Sequence, residues 1–139
     1  MYDRILLATD GSEHAREAVE HAIGLAQVCD ATLYVVSVVE TRTAYDAVVA
    51  DPEEIRANLK QVADDAIDDA TELADAAGVQ TRDVLEEGVP AEEIIEVVER
   101  EDIDLVVLGE RGHSAFKTVM LGSTAETVVH ETDVPVTVV

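Results

Sequence analysis

Apolar residues fall into two alternating patterns along this chain: short continuous runs, and longer stretches with helical spacing. Arg4-Ile5-Leu6-Leu7-Ala8-Thr9 is a short apolar run, read as a first strand, and Asp10-Gly11-Ser12 breaks it. Ser12 suits a helix N-cap, because its side-chain oxygen can accept a free backbone N–H of the first turn. The helix that follows has apolar positions at Ala15, Ala18, Val19, Ala22, Ile23 and Ala26, the spacing of a single buried face. Ala31 to Val39 is apolar and β-branched, a second strand, and Thr41 to Ala50 has no clear period and reads as a loop. Asp51-Pro52 then opens a long helix with proline at its first position. Its expected stripe is Ile55, Leu59, Val62, Ala66, Leu73 and Ala77, with Gly78 as its end. Val79 to Leu85 is a more polar third strand, expected at a sheet edge. Gly88-Val89-Pro90 starts a helix carrying Ile94, Ile95, Val97 and Val98. Asp104 to Leu108 is a fourth strand, Ser123 to Glu131 a last helix, and Pro135 to Val139 a fifth strand.

Continuous apolar strands separated by amphipathic helices predict a parallel sheet covered on both faces, with right-handed crossovers. The chain therefore reads as one α/β domain over residues 1–139, without linker or internal repeat. Ligands of such sheets sit beyond the carboxyl ends of the strands, where the strand order reverses. Attention falls on the loop after the first strand, Asp10-Gly11-Ser12, and the loop that begins at Gly109 after the fourth.

Charge narrows the classes. There are 31 acidic and nine basic residues, a net charge of −22. A polyanion would meet a like-charged surface, so nucleic acid is an unsuited partner. A hydrophobic content of 47% with clear periodicity excludes a disordered acidic chain. What remains is a folded protein suited to a salt-rich cytoplasm, where salt screens the repulsion. There is no apolar run long enough to span a membrane, and the start lacks the layout of a signal peptide. With Cys29 as the one cysteine, no internal disulfide can form, and a cytoplasmic location is expected. The acidic row Asp64, Asp65, Asp68 and Asp69 lies inside the long helical pattern and reads as a solvated face, not a calcium loop. The charge is uneven: Asp51 to Asp104 holds 19 acids and four bases, whereas Arg111 to Ala125 holds no acid and carries Arg111 and Lys117. A stretch left free of carboxylates is where an anion could be accepted.

That same stretch holds glycines. After the fourth strand the chain reads Gly109-Glu110-Arg111-Gly112, and later Gly122-Ser123-Thr124 at the start of the last helix. Glycines allow close backbone approach to a ligand, and a helix start offers free N–H groups and a positive dipole end. The spacing G-x2-G-x9-G-S is neither a Walker A loop nor a dinucleotide fingerprint.

Together with Ile5-Leu6-Leu7-Ala8-Thr9-Asp10-Gly11-Ser12, Gly88-Val89-Pro90, Asp104 to Gly109 and Pro135 to Val139, this loop closely resembles the universal stress protein family along essentially the whole chain. The spacing is that of the family's ATP-binding branch. The resemblance implies a five-stranded parallel sheet of order 3-2-1-4-5 with helices on both faces, a three-layer sandwich like that of the adenine nucleotide alpha hydrolases. It implies a site for ATP or a related adenine nucleotide; beside a protein of net charge −22 a triphosphate gains from a counter-cation, so Mg²⁺ is expected on the phosphates. In that site Ala8, Thr9 and Asp10 face the adenosine part, with Asp10 on ribose or adenine. Many members carry proline or valine where this chain has Ala8. Val38 lines the base pocket, and Leu108 and Gly109 touch base and ribose. Gly109, Gly112, Gly122, Ser123 and Thr124 hold phosphates through backbone N–H, and Arg111 is a candidate phosphate contact. The resemblance also implies a homodimer joined through the terminal strand, Val134 to Val139, whose open edge suits pairing.

Catalysis is less legible. Hydrolysis needs a positioned base or activated water. The carboxylates near the loop are Asp10 and Glu110, and no Ser-His-Asp or metal-ligand cluster stands out. Binding with slow or no turnover is therefore expected. The alternative is a scaffold of the same fold that binds no nucleotide. A phosphoacceptor receiver is set aside, because its third strand would have to end in aspartate and its fifth in lysine. Here the third ends in Glu86-Glu87 and the fifth has no lysine.

Overall fold

A computed structural model describes residues 1–40, 51–109 and 122–139. The described elements are β1 (Arg4–Ala8), α1 (Glu13–Cys29), β2 (Thr32–Glu40), α2 (Pro52–Ala76), β3 (Thr81–Gly88), α3 (Pro90–Arg100), β4 (Leu105–Leu108), α4 (Ser123–Glu131) and β5 (Val136–Val138). The five strands form one parallel sheet, as the pattern predicted, of order β3-β2-β1-β4-β5, as the resemblance implied.

Alternation along the strands builds two cores, because successive side chains leave a strand on opposite faces. Ile5, Leu7, Leu33, Val35, Leu105 and Val107 point to one face, where α1 and α2 cover them. Leu6, Tyr34, Val36, Val106 and Leu108 point to the other, under α3 and α4. The central strands are thus apolar on both sides.

Ser12 caps α1, accepting from the Ala15 N–H at 3.2 Å. The six apolar positions expected in α1 are the six that are buried. Asp51 caps α2, with Pro52 in its first turn. The α2 stripe needs correction. Its buried residues are Ala63, Ala66, Ile67, Ala70 and Ala74, while Val62 is exposed and Ile55, Leu59, Leu73 and Ala77 are half-buried. Small alanines let the helix lie close to the sheet, so the larger apolar side chains fall to the margins. The third strand also differs. Val79 spends its N–H on the Ala74 carbonyl at the end of α2, and the ladder with β2 runs instead from Leu33↔Thr81 to Glu40↔Gly88. It is an edge strand, as expected.

At the amino end of the sheet, the Asp104 carboxylate accepts from the Asp3 and Arg4 N–H groups at 2.7 and 2.9 Å. This ties the start of β1 to β4. The opposite, carboxyl end is left for a ligand.

Candidate nucleotide site

The strand order reverses between β1 and β4, since the chain leaves β1 for β2 on one side and returns to β4 on the other. A cavity of about 430 Å³ opens at this point, within the range of about 300–1,000 Å³ usual for small-molecule sites. Its floor is made by the ends of β1, β2 and β4.

Of the residues named from the sequence, Ala8, Thr9, Asp10, Val38, Leu108, Gly109 and Thr124 line this cavity. Gly122 and Ser123 stand beside it without lining it: Gly122 is the N-cap of α4, and Ser123 begins the helix. Gly122 has no side chain with which to cap the helix, and a helix start carries N–H groups that need other acceptors. Arg111 and Gly112 lie outside the described residues, as do Glu110, His113 and Lys117.

Local geometry accounts for the β1–α1 corner. The Thr9 N–H bonds the Val36 carbonyl at 2.9 Å, extending the sheet past β1. Asp10 Oδ1 accepts from the Ser12 N–H at 2.9 Å, turning the chain into α1. Asp10 thus serves the turn and lines the cavity at once. Gly11 sits at φ +78°, and a Cβ there would come within 3.1 Å of the Ala66 Cβ. Only glycine lets this corner pass under α2.

Other lining residues were not legible in advance: Glu40 beside Gly88, Leu59, Val62 and Ala63 on α2, and Pro90 and Ile94 on α3. Glu40 could have been found from its position at the carboxyl end of β2. The α2 residues could not, because their share in the site depends on how the helix lies over the sheet. The described lining contains two carboxylates, Asp10 and Glu40, and no lysine, arginine or histidine. Most of the rest is apolar. Among the described residues no group of His, Cys, Asp and Glu is arranged to hold a metal ion. His14, His21 and His130 are exposed, and Cys29 is half-buried at the edge of one core.

Fold and cavity define a class: a doubly wound α/β protein with a ligand-sized pocket at its topological switch point. The sequence profile of the universal stress protein family matches residues 1–139, and the chain belongs to that family. It is 36% identical over 141 residues to universal stress protein MJ0531 of Methanocaldococcus jannaschii, covering all of this chain and 82% of that one. The solved structure of MJ0577 superposes with a TM-score of 0.87 at 28% identity, over 100% of this chain and 96% of that one. Two more distant structures share the fold: a universal stress protein in complex with cAMP, at 24% identity and a TM-score of 0.71, and one from Archaeoglobus fulgidus in complex with dAMP, at 21% and 0.72. They cover 99% of this chain and 96% and 97% of their own.

Proposed function

We propose that this chain binds ATP or a related adenine nucleotide in the switch-point cavity, as a stress-response module with little or no turnover. The observation that carries this reading is the cavity itself: it has the volume for a nucleoside and gathers residues from the ends of β1, β2 and β4 and from α4. The base and ribose occupy the apolar part near Val38 and Leu108. The phosphates run toward the start of α4, where backbone N–H groups and the helix dipole favour negative charge. Gly109, Gly112, Gly122, Ser123, Thr124 and Arg111 form that end of the site. With Asp10 and Glu40 in the lining, a triphosphate needs a counter-cation, and Mg²⁺ on the phosphates supplies it.

Equilibrium dialysis with labelled ATP and Mg²⁺ at high salt tests this reading. Saturable binding at one site per chain is expected. Folded protein that retains no label above background overturns it.

The partner in this reading is a second copy, joined through β5. The two sheet edges differ in kind. Along β3, Glu87 pairs with Arg56, and Glu86 with Arg100 at 2.8 Å. Such charged side chains guard an edge against further pairing. Val134 to Val139 carries no charged side chain at all. The cellular setting we propose is a salt-rich cytoplasm.

A further inference from the structure

Four large apolar side chains are exposed among the described residues: Met1, Val28, Val62 and Val129. Val62 alone of these lines a described cavity, with 55% of its surface open to solvent. Its position on α2 explains why. From Ala63 to Ala74 the sheet-facing side of α2 is largely alanine, and those residues are buried. Before Ala63 the apolar side chains facing the cavity are Leu59, half-buried, and Val62, exposed. At the strand ends the lining adds Val38 and Leu108. The cavity thus has apolar lining from α2 as well as from the strand ends, and its carboxylates, Asp10 and Glu40, can only accept hydrogen bonds when ionised.

An occupant of such a cavity needs two apolar faces and a donor-bearing edge. A planar heterocycle with an exocyclic amine has both. A phosphate or carboxylate group does not fit beside two carboxylates. We infer that Leu59 and Val62 of α2 form the outer wall against which the flat face of the bound base lies, so that α2, and not the strand ends alone, selects for a planar base. This inference rests on the nucleotide reading above and names the part of the protein that reads the base. Val62 is open in the free protein and becomes covered when the base enters.

The chain has no tryptophan, so a Val62→Trp variant carries a single indole at the proposed wall. Calorimetry of the unaltered full chain with AMP and with adenosine comes first. If labelled ATP is retained in dialysis but neither AMP nor adenosine binds, the inference is overturned and the nucleotide reading stands; if none of the three binds, the nucleotide reading itself is removed. Given binding, AMP is expected to quench the introduced indole saturably, with a midpoint within about twofold of the calorimetric Kd of the same variant. A second variant, Val62→Asn, is expected to weaken adenosine and AMP by the same factor, on the order of tenfold, with an unchanged melting temperature in the free protein. Adenosine is neutral, so a shared loss reports on the base and not on the phosphate. Calorimetric binding with no change in indole emission and full affinity in Val62→Asn overturns the inference. A loss confined to AMP overturns it too.

Discussion

Two residues at corners of the fold carry more than their size suggests. Gly11 holds φ +78° with Ala66 overhead, a conformation that costs a residue with a Cβ about 1–2 kcal/mol. A Gly11→Ala change adds a contact tighter than ordinary packing to that strain, so a loss of about 2 kcal/mol or more in urea unfolding is expected. If the cavity holds a nucleotide as proposed, its affinity should fall as well, because the same corner places Asp10 in the lining. Glu93 presents the second case. Its side chain packs on Gly88, where a Cβ would meet the carboxylate at 2.5 Å and φ is +146°. Desolvation by burial, then the neighbouring charges of Glu96, Glu86 and Glu92, raise its pKa above the ordinary 4.5. A raised folded-state value means that protonation favours the folded state. The contribution is fully present below about 4.5 and is lost as the pH climbs through the raised value. Glu93→Gln should therefore be more stable than the parent at neutral pH, with the difference shrinking in acid. Equal stability of the two proteins across that window, measured by denaturant unfolding, would contradict the assignment. Asp10 was legible as a residue lining the cavity because it follows a strand and precedes a helix cap. The closeness of Ala66 to Gly11 was not, since those residues meet only when α2 lies over β1.

At the scale of elements, the edges decide behaviour. The Val106 N–H bonds the Pro135 carbonyl, and the Val139 N–H bonds the Leu108 carbonyl. In a parallel ladder the polar groups of successive residues alternate in direction, so residues 135, 137 and 139 serve β4 and residues 136 and 138 face outward. Val138→Pro thus removes an outward donor while leaving the bonds to β4 in place. If β5 joins two copies, this variant should be monomeric in light scattering, with an unaltered circular dichroism spectrum. A persisting dimer would move the interface elsewhere. The amphipathic pattern located α1 residue by residue, because its buried face is continuous and evenly spaced. For α2 the pattern named one buried position, Ala66, and otherwise the margins of the stripe, because leucine and valine were weighted above most alanines. Close packing against the sheet selects for small size as much as for hydrophobicity.

For the whole molecule, a net charge of −22 on 139 residues is a standing repulsion. The screening length is about 10 Å at 0.1 M salt and about 3 Å at 1 M. Raising KCl from 0.1 M to 2 M should therefore raise the melting temperature by several degrees, a shift on the order of 1–2 kcal/mol. A flat response would mean that the acidic surface is already balanced within the fold. The strand and helix identities, their parallel arrangement, and the β1 and β4 ends of the site are set by the chain's own periodicity, because burial on two sheet faces leaves a readable spacing. Which helix residues close the pocket, how Gly11 and Ala66 meet, and why Val62 stays open were decided only by the tertiary structure. Those depend on distances between elements far apart in the chain, and no local pattern carries that information.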